Sequence, residues 1–202
     1  MHGLINRAVQ CFVRDIYGAD SWATLGAATG VGTGGFESML TYDDEITFRL
    51  LDELCRMRKR PAEDILEDIG TYLVTHPNTR AIRRLLRFGG QSFTELLHSL
   101  DDLPDRARLA VPELELPALH LTELKTGRFK LEVASSRGGF GPVMAGVLRA
   151  LADDYGALAF LQLQSAMVPR EVLVIDLLDA EFAEAKQFYL GGGLERPAEG
   201  AQ

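Results

Sequence analysis

The chain of 202 residues is poor in cysteine, with Cys11 and Cys55 alone, each inside an apolar helical pattern. A disulfide framework needs more of them, so a reducing compartment is expected. Long apolar runs are also missing. None approaches the roughly 20 residues that cross a bilayer, which excludes a spanning helix. The opening MHGLINRAVQCFV holds a polar Asn6-Arg7 pair and no small-residue cleavage site, and reads as an amphipathic helix rather than a signal peptide. Basic charge is the third shortage. Lys and Arg number 21 against 29 Asp and Glu, a formal net charge of −8. Phosphate binding needs a net basic surface or a concentrated basic patch, so nucleic acid is not an expected partner. A cytoplasmic, bacterial protein with no membrane partner is expected.

Hydrophobic residues make up 47% and charged ones 25%, the balance of a soluble globular domain with room for a real core. Arg80, Arg83, Arg84 and Arg87 form a small basic cluster whose spacing places them on the solvated side of one helix.

The first half has a helical period. Leu4, Ile5, Ala8, Val9, Phe12 and Val13 share a face, and the helix stops near Tyr17-Gly18. Asp20 or Ser21 can cap a short helix through Leu25. The run GAATGVGTGGF, residues 26 to 36, is too glycine-rich for a helix. Asp43 caps a long helix carrying Ile46, Leu50, Leu51, Leu54 and Cys55, and Pro61 suits the first turn of the next. Ser92 with Glu95 makes a capping box for a helix from Phe93 to about Leu103, which Pro104 ends or distorts.

After Pro112 and Pro117 the period becomes two. Residues 119–124 and 128–135 form a hairpin around Lys125-Thr126-Gly127, a helix runs from Gly141 to about Tyr155, and strands follow at 157–164 and 171–177. The expected fold is α+β: an N-terminal helical subdomain, then a four-stranded antiparallel sheet with one helix inserted. A single domain spans 1–180, helical over about 1–110 and sheet over about 111–180, with a flexible tail at 190–202.

Enzymatic chemistry finds no support. The Gly30-x-Gly32-x-Gly34 run lacks the Lys-Ser/Thr of a phosphate loop. The adjacent pairs Asp43-Asp44, Asp101-Asp102 and Asp153-Asp154 diverge on a helix, so they read as caps and exposed faces rather than a catalytic dyad. No nucleophile–base pair and no metal-ligand spacing is present.

Four stretches taken in order resemble the H-NOX family (haem–nitric oxide/oxygen binding, HNOB): MHGLINRAVQCFVRDIYG followed by Trp22; KRPAEDILEDIGTYLV with its Pro-Ala-Glu helix and Gly-x-Tyr turn; SFTELLHSLDDLPDRARLAVPELELPAL, the signalling helix and its link to the sheet; and LEVASSRGGFGPVMAGVLRALADDYG, the strand and helix of the propionate motif. The resemblance covers residues 1 to about 177. It implies a haem cofactor, a nitric oxide sensor, and a signalling partner such as a kinase or a cyclic-dinucleotide enzyme.

The family's propionate motif, Tyr-x-Ser-x-Arg, falls on Val133, Ser135 and Arg137. Alternate strand residues share a face, so three such groups converge on one carboxylate. The bare residues also read as a strand end entering a turn, and both readings stand. The family's axial histidine falls on Pro104, which has no ligating atom. His98, six residues back, is about 240° round the helix and roughly 9 Å along it. His2, His76 and His120 read as surface or satisfied histidines. The resemblance places Ile5, Leu73 and Met144 on an apolar distal side that suits nitric oxide over oxygen, and Pro117 against the porphyrin face. Two functions follow: a haem-dependent sensor with atypical ligation, or a haem-free module of the same fold that binds another apolar carboxylate or acts through protein contacts.

Overall fold

The computed structural model describes residues 1–186 except residue 33. The tail expected at 190–202 lies outside the described residues. In chain order the elements are α1 (Gly3–Tyr17), α2 (Ala19–Thr29), α3 (Asp44–Arg58), α4 (Ala62–Thr75), α5 (Arg80–Arg87), α6 (Phe93–His98), α7 (Leu103–Ala110), β1 (Ala118–Lys125), β2 (Arg128–Ala134), α8 (Phe140–Tyr155), β3 (Leu158–Ser165) and β4 (Arg170–Asp179). The sheet is antiparallel in the order β1-β2-β4-β3. The α+β class and the strand–strand–helix–strand–strand order are as expected.

Two apolar clusters hold the chain together. Period-two alternation turns Phe129, Leu131 and Val133 of β2 and Leu173 and Ile175 of β4 inward, where α8 covers them. The second cluster lies among the first four helices around Val13, Leu25, Leu50, Leu54 and Ile65. Helix α4 is the seam. Ile65, Ile69 and Tyr72 belong to the helical cluster, and Val74 belongs to the sheet cluster.

α4 meets α8 backbone to backbone. A Cβ on Gly70 would collide with the Val143 carbonyl oxygen, and one on Gly146 with that of Glu67. Gly70-Thr71-Tyr72, expected as a turn, is therefore interior helix. Glycine costs helical stability, and here the close approach of α8 is what requires it.

Helix α2 runs to Thr29, four residues past the expected end. The Gly32 N–H donates to the Gly26 carbonyl at 3.2 Å, so the loop folds back on a helical Gly26, and Gly30 at φ 75° ends the helix. Asp43 stands at the start of α3 without a side-chain capping bond. The segment expected as one helix from 93 to 103 is broken. Ser92 Oγ accepts from the Glu95 N–H at 3.2 Å and starts α6, which stops at His98. A 3-10 turn over Leu100–Asp102 follows, and α7 begins with Pro104 in its first turn. A proline cannot receive a helix from behind, because its ring meets the carbonyl four residues back, but it suits a helix start. Pro104 thus opens a helix rather than ending one.

Of the four clustered arginines, Arg80 and Arg84 are exposed as expected, but Arg83 and Arg87 turn inward. Arg83 Nε donates to Asp154 Oδ2 at 2.6 Å, and the Arg87 guanidinium lies over the Tyr155 ring, 3.8 Å from its centroid. Asp154 is 2% exposed, not the surface carboxylate its neighbour Asp153 suggested. The register that faces α8 toward α5 turns both charges inward together.

Candidate functional site

The strand that was to aim Val133, Ser135 and Arg137 the same way ends at Ala134. Ser135 Oγ accepts the Arg137 backbone N–H at 3.0 Å, a local turn that competes with continuing the ladder. Val133 consequently stays in the sheet, fully buried in its apolar cluster, while Arg137 departs from that face. Alternation does not govern this triplet.

Arg137 reaches the helical half. Its Nε donates to Asp44 Oδ2 at 2.6 Å and its Nη1 to Glu115 Oε2 at 3.0 Å. Asp44 sits in the first turn of α3 and also accepts from the Met1 ammonium at 2.5 Å. The ammonium first, and the guanidinium next, hold the Asp44 carboxyl below the usual carboxylate range against the opposing effect of burial. A depressed pKa contributes stability that is present above the ordinary aspartate value and is lost as pH falls through the folded value. Thermal melts of the native chain and Asp44→Asn should therefore differ most near neutral pH and converge below about pH 4. A gap that widens on acidification would contradict this.

The next donors along the chain are also taken. Glu171 on β4, 2% exposed, accepts from the Gly139 N–H at 3.0 Å and the Gly141 N–H at 2.8 Å at the N-terminus of α8. A carboxylate at a helix start is held by both the free N–H groups and the helix dipole. Val133 pairs with Glu171 across the β2–β4 ladder, so this acid lies one strand from Val133.

A cavity of about 180 Å³ opens beside Arg137, lined by Met1, His2, Ile5, Thr41, Glu113 and Glu115 as well. That is below the roughly 300–1,000 Å³ of ordinary small-molecule sites. His2 is not a surface residue: it is 6% exposed, its Nδ1 accepts the Leu4 N–H at 3.2 Å to cap α1, and its Nε2 is buried without a hydrogen-bond partner among the described residues.

The other expected residues fall in separate places. Met144 on α8 joins Val133 in the sheet cluster, with Leu100, Leu103 and Leu119 in that same continuous packing. Leu73 packs partly buried against the helical cluster. Pro104 is buried at the start of α7, and Pro117 is buried immediately before β1. Ile5 and Arg137 meet at the cavity. The remaining histidines have protein partners: His98 lies edge-to-face with Phe129, His120 contacts Asp101 at 3.2 Å, and His76 stacks on Tyr72. Among the described residues there is no cluster of three or more His, Cys, Asp or Glu able to hold a metal ion.

Asp44, Glu115, Glu171 and His2 were not anticipated. Only Glu171 left a trace, since period two puts it on the inward face with Leu173 and Ile175. Asp44 and Glu115 carry no local signal, because their partner is distant in sequence.

The sequence model of the Haem-NO-binding family, HNOB, matches residues 2–159. The chain belongs to that family. It is 25% identical over 182 residues to the soluble guanylate cyclase gcy-31 of Caenorhabditis elegans, covering 90% of this chain and 24% of that protein. Against gcy-35 of the same organism the identity is 28% over 156 residues, with 75% and 22% covered. The chain spans about a quarter of the length of these cyclases. An H-NOX protein of S. oneidensis in the Fe(II)NO state superposes with a TM-score of 0.72 at 20% identity, covering 89% of this chain and all of that one. A single-site variant of T. tengcongensis H-NOX gives 0.74 at 14% identity, with 89% and 99% covered. The H-NOX fold is thereby shown, and the match falls on the sensory part of the cyclases. No helix among the described residues is long and apolar enough to cross a membrane.

Proposed function

We propose that this H-NOX domain is a sensory, regulatory domain that signals to a partner protein and whose haem ligation is impaired. Pro104 carries this reading: the sequence resemblance puts it where the family has its axial histidine, it is buried, and it offers no ligating atom. The partner expected from the family is a nucleotide cyclase, a kinase or a cyclic-dinucleotide enzyme, acting in the cytoplasm.

The residues present do not fit haem held in the family's manner. Iron would find no histidine on α7, and Arg137 already meets two carboxylates of the chain itself. Ser135, Val133, Pro117, Ile5, Leu73 and Met144 are proposed to line an apolar ligand, porphyrin or another carboxylate-bearing molecule, only where the packing that now separates them opens to admit it. A haem-free module is favoured by the small cavity beside Arg137.

The visible spectrum of protein expressed with haem supply tests the proposal. The native chain should show substoichiometric Soret absorbance, and Pro104→His should raise it and shift the band toward an imidazole-ligated form. Stoichiometric haem in the native chain, unchanged by Pro104→His, would overturn impaired ligation.

A further inference from the structure

The donors that could receive a ligand's carboxylate lie together in one short stretch, residues 137–141, and the protein's own acids occupy them. Arg137 Nε goes to Asp44, Arg137 Nη1 to Glu115, and the N–H groups of Gly139 and Gly141 to Glu171. The three acids come from three places: the start of α3, the link between α7 and β1, and strand β4.

We propose that Asp44, Glu115 and Glu171 stand permanently in the place of ligand carboxylates, and that among them the Arg137–Asp44 pair locks the helical half to the sheet half in a domain that needs no prosthetic group to close. The inference rests on the family reading for its fold alone.

Charge and geometry both support this. A guanidinium fork matches carboxylate oxygens, and a charge-assisted pair is about twice as strong as a neutral hydrogen bond. An incoming dianionic porphyrin would have to displace Asp44 or Glu115 and then lie beside the displaced acid and Glu113, which lines the same cavity as Glu115 and Arg137. Like charges at that range disfavour binding. Glu171 is better protected still, since it is buried and spans two N–H groups of one helix start.

The lock adds a second tie to the α4–α8 packing that already joins the two apolar clusters. On the sheet side, Ser135 N–H donates to the Pro169 carbonyl at 3.0 Å, which fixes the base of the segment to the β3–β4 connection. On the helical side, Asp44 is held by the chain's first residue, whose ammonium also donates to the Tyr42 carbonyl at 2.6 Å. Arg137 joins these two anchored points across 93 residues of sequence.

The test uses the full chain purified from haem-poor culture, with haemin as the probe. Haem-free native protein should unfold cooperatively. Arg137→Ala and Asp44→Asn should each lower the midpoint by roughly 2–4 °C, and the double variant should fall by clearly less than the sum of the two, because both remove the Arg137–Asp44 pair. In a parallel titration, Glu115→Gln, at an exposed position that folding tolerates, should bind haemin more tightly than the native chain, and Asp44→Asn with Glu115→Gln should do so by about tenfold. Additive melting losses would overturn the lock. So would stoichiometric haemin uptake by the native chain that Arg137→Ala abolishes while the haem-free melt stays unchanged. A Soret result alone decides the ligation question above, whereas the haem-free melt decides this one.

Discussion

Gly70→Ala should destabilise the domain by about 1–3 kcal/mol, although alanine is the better helix former. The intrinsic preference favours alanine by about 1 kcal/mol in a helix interior. Against it stands the Val143 carbonyl oxygen, which the new methyl would strike, together with the Val147 amide nitrogen 2.9 Å away. Backbone atoms of a packed helix cannot rotate aside as a side chain can, so α8 must lift away from α4. Lifting strips contacts along the whole seam, where Thr71 Oγ1 also donates to the Gly146 carbonyl and Glu67 pairs with Arg149. Gly146→Ala should cost a similar amount, since its methyl would strike the Glu67 carbonyl. Gly34→Ala is the control: nothing lies within 4 Å of its Cβ position, and stability should be unchanged. Urea denaturation of the three variants checks the set. A Gly70→Ala protein as stable as the native one would mean that the helices do not meet this closely.

The second large effect concerns Asp154. Its side chain is 3% exposed, against 26% for Arg83 and 58% for Lys186, the cations that reach its two oxygens at 2.6 and 3.5 Å. Arg87 Nη1 donates to the Asp154 carbonyl at 3.0 Å and ties α5 to the same corner. The buried member of this set is the acid. Removing a partner from a buried ion pair costs about 3–5 kcal/mol, chiefly because a charge is left without compensation. Arg83→Leu leaves that charge inside with a more distant lysine, and should lose about 3 kcal/mol at pH 7. Asp154→Leu leaves only cations that can turn to water, and should lose clearly less. The ranking is the test: a greater loss for Asp154→Leu, measured by the same urea unfolding, would show that the pair contributes mainly by attraction.

The architecture was legible because its signals are local. Helical spacing in the first half and period two after Pro117 depend on neighbours within a few residues, and they gave β1, β2, α8, β3 and β4 to within two residues or so at each end. The errors share one cause. α2 was cut short at Leu25 because glycine marks loops by local rule, and the family resemblance put Gly70 in a turn, while here Gly26 and Gly70 are helical positions against which another backbone packs. Arg83 and Asp154 read as solvated because charge is usually exposed, and neither residue's neighbours in sequence include the other. The broken segment between α6 and α7 was half visible: Pro104 announced the disturbance, but not that a new helix would start there.

Within the candidate site the division is the same. The resemblance alone put Pro104 at the axial position and Val133 at the tyrosine position, and the proposal of impaired ligation rests on that reading of the sequence. What Arg137 does was a matter for the tertiary structure. Its residue type offered a fork for a carboxylate, and the sequence did not say whose. The fold brings Asp44 from 93 residues away and Glu115 from 22 residues away to that fork. A side chain's chemistry is carried by the residue itself, but the partner that satisfies it is chosen by chain folding, which sets distances that no local pattern encodes.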